Sequence, residues 1–330
     1  MKAVRLHPGG RLLMHDEREP VAGPGDALLR VAAVGLCGSD RHWLLDGGIG
    51  DVRLDEPLVL GHEFSGFALT GLHVGRLVAA DPTINCMRCA PCRSGRENLC
   101  REQRFAGYSG TDGALREMVA WPERLLHPLA EVVTPAEGTL AEPLAVAIHA
   151  LELAGAISGR RVGVVGCGPI GLLVVSLAVA AGATVVVAAE PEPHRLAAAL
   201  ARGAQPVSAA DLERGELEVV FEVAGEDAAV DTALSLAAPG AAILLVGIPT
   251  QDRTSFVASV ARRKGLALQA VRRSTPQSFG RAVRLVEESR LDLPALVSHR
   301  LPLAQAEQAF SLLAARDGLK IVLELGGGPA

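Results

Sequence analysis

The chain has no apolar stretch long enough to cross a bilayer. Its longest, residues 170–183, falls short of the roughly 20 residues that a spanning helix needs. The positive mean hydropathy of +0.29 is therefore assigned to alanine-rich helices rather than to a membrane. Residues 1–8 lack the apolar core of a secretory signal, so a cytoplasmic protein with no membrane partner is expected. No basic cluster offsets the net charge of −5, which gives no support to a nucleic-acid partner. No internal repeat and no low-complexity linker stands out. With 49% hydrophobic and 21% charged residues, the 330-residue chain reads as packed rather than disordered, and long enough for two domains.

What is present is organised around the middle of the chain. The apolar run 162–165 reads as a buried strand. It breaks into Gly166-Cys167-Gly168-Pro169-Ile170-Gly171, and an apolar segment of helical length follows. A β-branched run, 184–187, then ends near an acid, Glu190. This order is the context in which G-x-G-x-x-G reads as a dinucleotide site and not as a glycine turn between two core elements. Gly166 would permit the tight turn, Gly168 the approach of a pyrophosphate, and Gly171 the close packing of helix on strand. Where Pro169 and Ile170 open the helix, its unpaired N–H groups would take the phosphates. Glu190 would accept from the ribose hydroxyls and repel a 2′-phosphate, favouring NAD over NADP. Arg195 is placed with the cofactor-binding residues.

Residues 146–273 alternate strand and helix, the signature of a doubly wound parallel sheet. Runs 218–223 and 242–247 read as strands, with a helix at 228–236 between them. Ligands of such sheets lie beyond the carboxyl ends of the strands, so Ala224, Gly225, Gly247 and Ile248 are expected at the nicotinamide half; ordinary strand-to-helix turns are the other reading. Further on, helices are expected near 277–289 and 304–313, a strand at 320–325, and a frayed end at 326–330.

Before this region the sequence carries thiols and imidazoles. Residues 2–35 look like β-structure, with a strand at 27–34, and they lead to Cys37-Gly38-Ser39-Asp40-Arg41-His42. Gly61-His62-Glu63 follows. Cys37, His62 and Glu63 are the ligand types of a catalytic zinc that keeps one position open. Singly, each also fits an ordinary core or surface role. Of the six cysteines, four crowd together as Cys86-x2-Cys89-x2-Cys92-x7-Cys100. Four thiolates close a tetrahedral zinc shell and leave no place for substrate, so a structural zinc is expected; an iron–sulfur cluster or free thiols are the alternatives. Residues 113–115 are expected to open another strand.

The Cys37-Gly38-Ser39-Asp40 run with His42, the Gly61-His62-Glu63 triplet, the four-cysteine lobe and the glycine fingerprint together resemble the zinc-dependent medium-chain alcohol dehydrogenase superfamily. The match runs in order over nearly the whole chain. No cysteine lies between Cys100 and Cys167; Glu142, in Glu142-Pro143-Leu144-Ala145-Val146-Ala147-Ile148-His149-Ala150, stands where alcohol dehydrogenases proper place one. That run is similar to the polyol branch, which includes sorbitol and L-idonate dehydrogenases. The resemblance implies an α/β fold: a doubly wound parallel Rossmann sheet at 146–273, plus a discontinuous, mainly β GroES-like catalytic domain at 1–145 to which 274–330 return. It implies two zinc ions per chain, with Cys37 and His62 as catalytic ligands and Glu63 or Glu142 as the third. It also implies NAD, a secondary-alcohol substrate, and a homo-oligomer, dimer or tetramer. Ser39 and His42 match a proton relay that passes through the ribose hydroxyl, with Asp40 able to orient a ligand. Segments 44–51 and 105–111 resemble borders of the substrate cleft. A cyclitol or amino-acid hydroxyl as substrate, or a non-catalytic NAD-binding protein, are the rival readings.

Overall fold

The computed structural model describes residues 1–289 and 291–326; the end read as frayed lies, past Gly326, outside the described residues. The chain forms two compact units, one of Met1–Ala145 and Ser274–Ala330, the other of Val146–Arg273.

The first unit is built around the strand Asp26–Gly35. Its residues Leu29, Val31, Ala33 and Val34 are almost wholly buried, because other strands pair with both of its edges. Glu63–Ala68, Met118–Pro122 and Lys320–Glu324 all pair with it antiparallel, and Val297–Pro302 extends the sheet parallel to Lys320–Glu324. Among the described residues this sheet has seven strands. The last strand among the described residues thus lies beside one of the first, which brings Lys320 next to Leu36. The hairpin Lys2–His7 and Arg11–Asp16 covers a core of Val4, Leu6, Leu58, Leu115 and Phe310 among others.

One local expectation needs correction, and one element was not expected at all. Residues 113–115 do not open a strand. Their N–H groups go to Val59, Gly61 and Leu60, an irregular close approach at which a side chain on Gly113 would overlap the Gly61 carbonyl; the strand begins at Met118. A helix, Gly38–Asp46, occupies the segment after Cys37, where the polar sequence shows no apolar repeat.

The second unit is a parallel sheet in the order Gln205–Pro206, Val185–Ala189, Arg161–Val165, Leu217–Glu222, Ala237–Leu245, Ala267–Ala270. Val162, Val164, Val219, Val220 and Phe221 are fully buried, as strands covered on both faces require. The chain turns from one half of this sheet to the other between Arg161–Val165 and Leu217–Glu222, the switch point where such folds bind ligands. Among the described residues no helix is long and apolar enough to cross a membrane.

Candidate active site and metal centres

Cys37 ends the central strand's path and starts the helix Gly38–Asp46. It keeps an extended backbone (φ −110°, ψ 158°), and its N–H donates to Asp40 Oδ2 at 2.9 Å. The carboxylate thus ties the thiol's position to the first turn of the helix. Gly47, left-handed at φ 65°, stops the helix. Glu63 opens the neighbouring strand opposite Gly35, and any side chain on Gly35 would overlap the Glu63 carboxylate. The glycine makes room for a charge inside the sheet.

Cys37, His62 and Glu63 each offer a ligand atom, and these atoms lie within 4.8 Å of one another. His62 is buried and sits against Phe105, ring centroids 5.1 Å apart. Asp40 Oδ1 lies 3.7 Å from His62 Nδ1. It is buried with no hydrogen-bond partner of its own among the described residues. A carboxylate on the Nδ1 side leaves Nε2 to serve as the ligand atom, the usual arrangement behind a ligating imidazole. Ser39 Oγ lies 3.5 Å from that Nε2. His42 is not drawn into the cluster by any direct bond; its Nδ1 pairs with Asp46 Oδ2, one turn along the helix, at 2.7 Å.

Glu142 lies in the first turn of the helix Ala141–Ala154, buried, within electrostatic reach of His62, Glu63, Cys37 and Lys320 but outside the three-ligand group. Burial, with Glu63 and Cys37 adding to it, pushes its carboxyl up to about 8. Burial and the Glu63 charge push the Cys37 thiol up to about 12. Burial also raises Asp40. Burial holds these anion-forming groups toward their protonated forms despite the nearby Lys320, and a divalent cation, which the donor set fits, would reverse those shifts.

Cys86, Cys89, Cys92 and Cys100 also converge within 4.8 Å. Met87 takes a left-handed turn (φ 58°), and the Cys89 N–H donates to Cys86 Sγ at 3.4 Å. The Cys86 N–H donates to Cys100 Sγ, also at 3.4 Å. Backbone N–H groups aimed at sulfur favour thiolates. Hydrogen bonding, first from Cys92, brings Cys89 down to about 6, while burial pushes Cys92 up to about 12. Four sulfurs, with no fifth donor grouped with them among the described residues, fit a closed tetrahedral shell.

In the second unit the glycine loop has the geometry of a tight strand-to-helix turn. Gly166 is left-handed (φ 95°), and Gly168 caps the helix Pro169–Ala180. A side chain on Gly171 would overlap the Gly166 carbonyl, whereas one on Gly168 would meet only Arg195 Nη1 at 3.8 Å. Glu190 follows Val185–Ala189 and accepts from the Cys167 N–H at 2.6 Å and the Glu192 N–H at 3.0 Å. Across the switch point, Gly225 and Gly247 are packed back to back, with Ile248 against Gly225.

Residues 23–131 match the alcohol dehydrogenase GroES-like domain family, and residues 169–288 match the zinc-binding dehydrogenase family. D-xylulose reductase A of Aspergillus niger is 33% identical over 324 residues, covering 92% of this chain and 90% of that protein. The chain belongs to the zinc-dependent medium-chain alcohol dehydrogenase superfamily. Among solved structures, L-idonate 5-dehydrogenase from Escherichia coli superposes with a TM-score of 0.92 at 27% identity, covering 98% of each chain. A Sinorhizobium meliloti 1021 protein solved with NADP bound gives 0.88 at 30% identity, covering 98% of this chain and 99% of that one.

Two buried charges of this dehydrogenase escaped the reading of its sequence. Lys320, 1% exposed, donates to both oxygens of Glu63 at 2.8 and 2.7 Å and to the Leu36 carbonyl at 2.9 Å. Burial works against its charge, but Glu63 and Cys37 outweigh it and hold the ammonium above its ordinary pKa. Glu222, 1% exposed, accepts with one oxygen from the N–H groups of Ala224 at 2.8 Å and Gly225 at 2.7 Å, fixing the loop beyond its strand. The available signal was the same for both: a charged residue within a run otherwise fit for burial.

Proposed function

We propose that this dehydrogenase oxidises a secondary hydroxyl of a polyol or sugar-derived alcohol to a ketone, reversibly, with NAD as hydride acceptor. The observation that carries the reading is the convergence of Cys37, His62 and Glu63, with Asp40 behind the imidazole. Cys37 and His62 hold a catalytic zinc, Glu63 or Glu142 supplies the third ligand, and the four-cysteine lobe holds a structural zinc. When bound, the zinc supplies Lewis acidity that lowers the pKa of the substrate hydroxyl, and NAD supplies the hydride acceptor.

The chain's own residues bind, orient and move the proton. Asp40 fixes the His62 tautomer. Ser39, beside His62 Nε2, would accept the proton of the hydroxyl as it gives up its own, and His42, its ring held by Asp46, would release a proton to solvent, with the cofactor's ribose hydroxyl between the two. In the second unit Gly166, Gly168, Pro169, Ile170 and Gly171 form the pyrophosphate cradle, with Arg195 beside Gly168. Ala224, Gly247 and Ile248 border the nicotinamide half. Glu190 stands just past the strand Val185–Ala189, where the ribose hydroxyls of NAD bind and a 2′-phosphate is repelled. The names of the xylulose and idonate enzymes support a polyol-type substrate. The protein works in the cytoplasm as a homo-oligomer, a dimer or tetramer.

The test is a panel of pentitols, hexitols, cyclitols and hydroxy acids, followed by the absorbance of reduced cofactor with NAD and with NADP. Turnover of at least one polyol with NAD is expected, and Cys37→Ala should abolish it while far-UV circular dichroism is unchanged. Activity retained in Cys37→Ala, or turnover of hydroxy acids alone, would overturn the reading.

A further inference from the structure

The Glu63 carboxylate already has a charged partner. Both its oxygens accept from the ammonium of Lys320, and both residues are almost wholly buried. The third donor position of the ammonium is spent on the Leu36 carbonyl. With all three N–H groups used and 1% exposure, Lys320 has no proton to offer a substrate. Its chemistry is confined to the carboxylate it faces. The pair is built into the fold from both sides: Gly35 leaves the space in which the carboxylate lies, and the strand Lys320–Glu324 carries Lys320 to it.

We propose that Lys320 is a positioning residue that competes with the catalytic metal for Glu63, neutralising the carboxylate when the metal is away and keeping Glu63 a weak, displaceable third ligand when it is present. This rests on reading Cys37, His62 and Glu63 as the zinc site. A buried carboxylate without a counter-charge is costly, so an empty three-ligand site would open unless something answered Glu63; the ammonium does that. The same ammonium repels a divalent cation and draws on the lone pairs the cation needs, so metal binding and the Lys320 charge are linked with opposite sign. A third ligand held on two sides can yield to a substrate oxygen without being expelled into solvent.

The experiment compares full-length wild type with Lys320→Met and Lys320→Arg. It uses competition against a chromophoric chelator for the zinc that Cys37→Ser removes, and thermal melts of the metal-free and zinc-loaded forms. Lys320→Met should bind that zinc about tenfold or more tightly, within the usual range of a coupling between two sites. It should also melt lower without metal and gain more from zinc. Lys320→Arg, which keeps the charge, should stay close to wild type. Should Lys320→Met fold only with zinc present, the readout is the rate of zinc release into excess chelator, with slower release expected. Unchanged or weaker affinity, or equal or faster release, overturns the role given to Lys320 alone. A wild-type protein holding no zinc that Cys37→Ser removes overturns the metal site and this proposal with it.

Discussion

Gly168 and Gly171 stand three residues apart in one turn, and a methyl group added to each meets opposite surroundings. At Gly171 it would overlap the Gly166 carbonyl, so strand and helix must separate. At Gly168 the backbone is an ordinary φ of −66°, and the nearest atom is the flexible end of Arg195 at 3.8 Å. Gly171→Ala should therefore cost about 1–3 kcal/mol of stability, the size of an overpacked core. Gly168→Ala should stay within about 0.5 kcal/mol, as for substitutions that disturb no packing. If the open side of Gly168 is where a pyrophosphate approaches, Gly168→Ala should nonetheless weaken NAD by about tenfold, or 1.4 kcal/mol, read by calorimetric titration. Equal melting temperatures for the two variants would contradict the steric argument; undiminished NAD binding by Gly168→Ala would move the phosphates elsewhere.

Elements show where the sequence was informative. The unit of strand, glycine turn and helix was legible because a buried parallel strand must be apolar where it is covered, and a tight turn onto a helix must use glycine; residues 162–165 and the turn into Pro169–Ala180 obey these demands. The helix Gly38–Asp46 was not legible. It buries only Asp40 and Trp43, so no apolar repeat marks it, and what starts it is the Cys37 N–H donating to the Asp40 carboxylate. The Lys320–Glu63 pair was hidden for another reason: its partners are 257 residues apart, and only the fold brings them together. A similar long-range device closes the helix Asp227–Leu236. Lys264 Nζ, from the helix Ala258–Lys264, donates to the carbonyls of Leu234 and Ser235 at 2.9 Å and of Ala237 at 2.8 Å. These are acceptors that a helix end leaves without partners. Lys264→Met should lower stability by about 1–3 kcal/mol, the cost of leaving buried acceptors unsatisfied, measured by urea unfolding. No loss would mean that water serves those carbonyls equally well.

At the scale of the whole molecule, the two candidate metal sites should part company when metal is withdrawn. The lobe that holds Cys86, Cys89, Cys92 and Cys100 has little else to keep it folded: a four-residue helix, Ala90–Arg93, and a three-residue turn, Glu97–Leu99. Its buried residues are Cys92, Cys100, Glu97 and Asn98, with no apolar cluster of their own. Metal binding there is folding energy. The site of Cys37, His62 and Glu63 is different, since Lys320 already answers Glu63 and the sheet around it stands on Leu29, Val31, Val34 and Phe64. Three ligands should also release metal sooner than four thiolates. Elemental analysis should thus find two zinc ions per chain. A mild chelator should remove one, abolishing turnover with little change in the melting temperature. Removal of the second, under a stronger chelator with a thiol-blocking reagent, should lower the melting temperature steeply. One zinc per chain, or loss of both in a single step with activity and stability falling together, would contradict this division between a site that the fold supports and a lobe that the metal supports.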